Sequence, residues 1–183
     1  MKQERVFPKF LNLAILLISI ATILCFAIFH FGAENTTAWD FLLGSNYESL
    51  QAGFISGICA NFKFFGYCFI YILYASLFLA FIDIFLCIIM FIPSIRKNSF
   101  MALLYKTFLI VFGFFGLLCY LLTLVFMILY FVAVGKAGIS FGDFFTTAQQ
   151  SQPIFWITII MFVITASIAM IKLMAYKNYS RPV

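Results

Sequence analysis

Charge is what this sequence has least of: Asp, Glu, Lys and Arg together make up 9% of its 183 residues. A soluble domain of ordinary composition carries about 25%, so a normal water-facing surface is excluded. Histidine occurs once, at His30, with no second histidine or carboxylate at ligand spacing, which leaves no metal or haem site to expect. The five cysteines contain no Cys-x-x-Cys pair, so a thiol oxidoreductase of the four-helix kind is disfavoured. Also missing are a phosphate-binding glycine loop, a Gly-x-Ser-x-Gly element and a metalloprotease helix. Neither catalysis nor a cofactor is expected.

Apolar residues are abundant instead, at 66% hydrophobic and 21% aromatic, and this composition is that of an integral membrane protein. Outside the apolar runs no basic patch is interleaved with exposed aromatics. The net charge of +5 therefore speaks for membrane topology and contact with anionic lipid headgroups, not for nucleic acid.

Four runs are long enough to cross a bilayer, at about 10–31, 67–93, 102–134 and 154–175. The first is too long for the apolar region of a cleaved signal peptide and lacks a small-x-small site, so it is expected to be retained. Nine basic residues fall beside the termini and the turn at 94–101: Lys2, Arg5, Lys9, Arg96, Lys97, Lys106, Lys172, Lys177 and Arg181. Only Lys63 and Lys136 fall on the other side. Basic flanks mark the cytoplasmic face. The expected fold is an all-α single membrane domain, a four-helix up-down bundle with both termini cytoplasmic. Its outer loops are 32–66 and 135–153. The first is too apolar for a solvated linker and is expected to form short amphipathic helices as an outer cap, with Thr37 capping one of them and Asp40 at its third position. A plasma or inner membrane suits this topology.

The second run, Tyr67–Pro93, carries one carboxylate, Asp83, near its middle. A charge at that depth costs a few kcal/mol and normally faces a protein interior, which makes Asp83 the first candidate for a functional group. Ser76, Ala80, Asp83 and Cys87 share one helix face. Each other span has a similar seam: Asn12, Ser19 and Thr22 in the first, Gly113, Gly116, Tyr120 and Thr123 in the third, and Thr158, Thr165, Ala169 and Lys172 in the fourth. Such seams of small and polar residues let backbones approach where no water drives association. Counting in from the cytoplasmic ends puts Thr22, Gly113 and Thr165 level with Asp83, and leaves Lys106 and Lys172 near the interface, free to extend outward. Asp83 is thus expected to be an uncharged acid bonded to Thr165 or Thr22.

Cys25, Cys87 and Cys119 lie within spans and read as packing residues. Cys59 and Cys68 lie on the outer side with eight residues between them, close enough for a disulfide in an oxidising compartment. The stretch Gly57-Ile58-Cys59 with Cys68 resembles the end of the first-loop element of claudin-type tetraspans. That resemblance would imply adhesion, barrier or trafficking work. The tryptophans of the element are absent here and the loop is short, so the chain is not assigned to that family.

The function expected is that of a non-catalytic accessory, scaffold or protective subunit that binds another membrane protein. The alternative is a small oligomeric transporter or channel component in which Asp83 lines a path. A packed, inward Asp83 seam separates the first from the second.

Overall fold

A computed structural model describes residues 8–28, 30–31, 36–57, 59–136 and 152–179. In chain order the elements are α1 (Lys9–Ile28), β1 (His30–Phe31), β2 (Thr36–Thr37), α2 (Ala38–Leu43), α3 (Tyr47–Ser56), α4 (Lys63–Phe91), α5 (Pro93–Arg96), α6 (Ser99–Lys136) and α7 (Gln152–Tyr179). Among the described residues the regular structure is helical apart from the two-residue antiparallel ladder of β1 and β2. Helices α1, α4, α6 and α7 are each long and apolar enough to cross a membrane, and the chain is a membrane protein. At 1.5 Å per residue, α4 with 29 residues is about 44 Å long and α6 with 38 about 57 Å, beyond the ~30 Å hydrocarbon thickness.

The helix ends differ from the sequence expectation in ways that matter later. Helix α4 begins four residues earlier than expected, at Lys63, and stops at Phe91, because Pro93 opens the next short helix at its first position, where its missing N–H costs nothing. Helix α7 continues to Tyr179, four residues past the expected end. Helix α1 stops at Ile28, where the chain turns into the β1–β2 ladder. The second outer interval lies almost wholly outside the described residues.

Helix α1 packs on α4 and α7, and α6 packs on α7 and α4. Their buried residues fall into two apolar clusters. One gathers Phe26, Leu73, Leu77, Phe126, Tyr130 and Met161 with the cap residues Phe41, Leu42, Phe54 and Ile55. The other gathers Ile15, Cys87, Met90, Tyr105, Leu109 and Ala175. Outward-facing Leu17, Leu24, Phe78, Phe85, Phe114 and Leu118 are suited to lipid.

In the first outer interval the short helices α2 and α3 form, and Thr37 caps α2 as the sequence indicates. Thr37 Oγ1 accepts from the Asp40 N–H at 3.1 Å, and the Thr37 N–H donates to Asp40 Oδ2 at 3.0 Å, a reciprocal capping box that starts α2. The cap is tied to α4 by Tyr74, whose hydroxyl donates to the Leu42 carbonyl at 2.6 Å and accepts from Gln51 Nε2 at 3.0 Å. Gln51 Nε2 also donates to the Phe41 carbonyl at 2.9 Å. Tyr74→Phe removes one donor and leaves a half-buried carbonyl short of a partner, so it is expected to cost about 1 kcal/mol in reversible unfolding from mixed micelles. An unchanged unfolding midpoint would show that the tie is incidental.

Cys59 and Cys68 are both free thiols, so the bridge that the sequence left possible is not formed, and Cys68 lies inside the start of α4. The reason is helical phase. Cys59 is fully buried against the Gly66 face of α4, where a methyl on Gly66 would sit 2.8 Å from Cys59 Cβ and Sγ. Cys68 is two residues on, about 200° around the helix, and points elsewhere. Burial pushes the Cys59 thiol up to about 12 from an ordinary 9.0. A raised thiol pKa means the folded state holds its proton longer than the unfolded chain. The stabilisation is therefore complete below pH 9 and is lost as pH rises from about 9 toward 12. At pH 8 a maleimide is expected to modify Cys59 slowly in the folded protein and quickly after denaturation, read by peptide mass spectrometry.

Candidate functional site

Between the two apolar clusters lies a polar layer to which all four long helices contribute. Asp83 is 0% and Lys172 1% exposed, and Lys172 Nζ stands 2.8 Å from Asp83 Oδ1. Asp83 Oδ2 accepts from Ser19 Oγ on α1 at 3.3 Å. Oδ1 has the ammonium at ion-pair distance but no hydrogen bond of good geometry among the described residues.

The fully buried ion pair corrects the expected depth of Lys172, which does not extend to the interface. The expectation counted from Ser94 and Ala175. Counted from the observed ends, Asp83 is eight residues before Phe91 and Lys172 seven before Tyr179, or about 12 and 10 Å. The two are level. Asp83 is therefore not the lone acid that the depth count led us to expect, because a cation stands at its own level.

The small-residue seams explain how an ammonium on α7 reaches α4. A methyl on Gly116 would lie 3.0 Å from Ala169 Cβ, and one on Gly113 would lie 2.8 Å from Leu173 Cδ2 and 3.6 Å from Lys172 Cβ. Helices α6 and α7 therefore meet almost backbone to backbone along the face that carries Lys172. Its ammonium then lies over aromatic rings of α6, 4.9 Å from the Phe108 centroid and 5.8 Å from that of Phe112. Ring faces carry partial negative charge, so they supplement the carboxylate in holding the cation.

The expected partners are close by without being bonded as expected. Thr22 donates to the Ile18 carbonyl at 2.8 Å and Thr165 to the Met161 carbonyl at 2.7 Å, each within its own helix. Both line a cavity of ≈ 30 Å³ together with Ser76, Ala80, Asp83, Gly116 and Lys172. The structure thus brings Asp83, Thr22 and Thr165 to one place, while Ser19, one turn from Thr22, supplies the hydroxyl bond. Ala80 and Cys87 are buried in the seam as expected and Ser76 is half-buried. On α6 the seam runs Gly113, Gly116, Cys119 and Thr123; Cys119 is buried and Tyr120 only half-buried, which displaces Tyr120 from its expected position.

A second polar contact lies one to two turns away. Asn12 is fully buried, donates from Nδ2 to the Cys87 carbonyl at 3.1 Å and accepts at Oδ1 from the Tyr105 hydroxyl at 2.6 Å. One amide side chain thereby joins α1, α4 and α6. Tyr105 was not legible as a partner in the sequence, where it is one of 36 Phe and Tyr residues.

Among the described residues no group of three or more His, Cys, Asp or Glu is placed to hold a metal ion. Set against known protein families, curated proteins and solved structures, the chain matches none.

Proposed function

We propose that the protein is a four-span up-down bundle with both termini cytoplasmic, acting as a non-catalytic accessory, scaffold or protective subunit that binds another membrane protein in a plasma or inner membrane. The observation that carries this reading is the Asp83–Lys172 pair, neutralised within one chain and facing the interior. Charges used in this way hold helices together and leave the outer surface and the cap for contacts. The alternating direction is supported by Asn12 near the start of α1 meeting Cys87 near the end of α4 and Tyr105 near the start of α6. The orientation is supported by Lys63 and Lys136 at the other ends of α4 and α6, against Lys9, Arg96, Lys97 and Lys177 at the ends nearer Asn12.

The test is a photocrosslinking side chain placed at exposed Trp39 or Tyr47 of the cap, followed by mild-detergent purification and mass spectrometry. A single crosslinked species of fixed mass containing another membrane protein is the expected product. A homo-oligomer alone, with Asp83 reactive to a water-soluble carboxyl reagent, would overturn the reading.

One observation favours a second reading, that of a small transporter component. The cavity touches Asp83 among hydroxyl groups from α1, α4 and α7, and ionisable groups within a bilayer often mark proton or ion paths. Asp83→Asn separates the two. Loss of a transport phenotype with normal assembly supports the transporter, and loss of assembly together with phenotype supports the scaffold.

A further inference from the structure

We infer that the cavity beside Asp83 is a binding site for one water molecule, which completes the coordination of the buried ion pair. The inference depends on neither functional reading. Three independent features of the site point to water.

The first is need. Asp83 Oδ1 is fully buried and has no hydrogen bond of good geometry among the described residues. The ammonium is its one close polar neighbour there, a carboxylate oxygen has room to accept a second bond, and ordered water is the usual partner for a buried polar atom left short of one. Lys172 adds to the need from the donor side. Its ammonium carries three N–H groups, and its contact with Oδ1 at 2.8 Å uses at most one of them.

The second is room. The cavity measures ≈ 30 Å³, above the roughly 10–15 Å³ that one water requires.

The third is complementarity. Thr22, which lines the cavity, gives its proton to the Ile18 carbonyl, so its oxygen can only accept from a guest. A water has two protons and two lone pairs. It can donate to Asp83 Oδ1 and to a threonine oxygen while accepting from Lys172, which gives the three bonds typical of a buried water. A metal cation suits the site less well, because it would compete with an ammonium that is already 2.8 Å from the carboxylate.

Nuclear Overhauser spectroscopy of the full chain in nanodiscs tests this, with protonated Ala, Ile and Leu methyl groups in an otherwise deuterated protein. Cross-peaks at the water frequency are expected for the methyls of Ala80, Ile164 and Ile168, which line the cavity, and not for Leu73, buried in the apolar cluster. They are expected to persist in Thr165→Val, which keeps the shape and removes a hydroxyl that could relay the signal. In Ala80→Val, whose added methyls occupy the space, those of Ile164 and Ile168 are expected to vanish. Absence of the cross-peaks in the wild type, or their survival in Ala80→Val, would overturn the inference. Should Ala80→Val fail to fold, the wild-type and Thr165→Val spectra still decide it, because cross-peaks lost in Thr165→Val would assign the signal to the hydroxyl instead of a water.

Discussion

Lys172→Met is expected to destabilise the protein by about 3–5 kcal/mol, the cost of leaving one member of a buried ion pair without its partner. Methionine keeps most of the stem, so the loss reports on the ammonium, with its ion pair and its place over the Phe108 and Phe112 rings, more than on packing. What remains is Asp83, 0% exposed, with the Ser19 hydroxyl as its one hydrogen bond among the described residues. Insertion scales independently put a charged side chain at mid-helix at about 2.5–3.5 kcal/mol, which supports the lower half of the range. The decisive comparison is a cycle with Asp83→Asn. The double variant Asp83→Asn, Lys172→Met should recover much of the stability lost in Lys172→Met, since it no longer buries an unpaired charge. Reversible unfolding from mixed micelles measures all four corners. Additive losses would mean that the 2.8 Å contact contributes no coupling and that each residue acts through other neighbours.

The same pair shows where reading the sequence succeeds and where it stops. Four apolar runs, the cap and the Thr37–Asp40 capping box are legible because each follows from local pattern: run length, helical spacing, and a threonine three residues before an aspartate. The seams were legible too, and they already held Ser19 and Lys172, at helical spacing from Thr22 and from Thr165 and Ala169. What the pattern did not carry was depth. An error of three or four residues at a helix end is about 5–6 Å, enough to move Lys172 from the interface to the level of Asp83. A cation on the same face as Thr165 and Ala169 was itself the better signal, because that face turns inward and an inward cation needs a carboxylate. The Cys59–Cys68 bridge failed for a different reason, since sequence separation says nothing of the 200° of phase between Gly66 and Cys68.

Phe126→Ala is the other substitution expected to have a large effect, through the junction of cap and helices. Its ring is fully buried, stacked on Phe69 at 4.3 Å and 7°, with Phe62 at 5.9 Å and Phe54 at 6.1 Å. Phe54 belongs to the cap, Phe62 to the loop that leads into α4, and Phe69 to α4 itself, so one side chain of α6 touches three successive parts of the chain. Truncating a buried phenylalanine removes its contacts and leaves a cavity that costs about 3–5 kcal/mol in soluble cores. Dispersion contacts are lost whether lipid or water lies outside, so a value near 3 kcal/mol is expected here. The loss should be local to the cap. Lys63 is the only Lys or Arg between Lys9 and Arg96, and it occupies the first position of α4, so trypsin must open this junction to cut there. Cleavage by this route follows the population of the open state, and a change of about 3 kcal/mol raises that population more than a hundredfold. Phe126→Ala should therefore be cut at Lys63 far faster than the wild type, while Lys172→Met, which loosens the layer beneath, should change that rate less than it changes global unfolding. Equal cleavage rates in wild type and Phe126→Ala would show that the cap is held by the Tyr74 and Gln51 hydrogen bonds, with the aromatic stack contributing little.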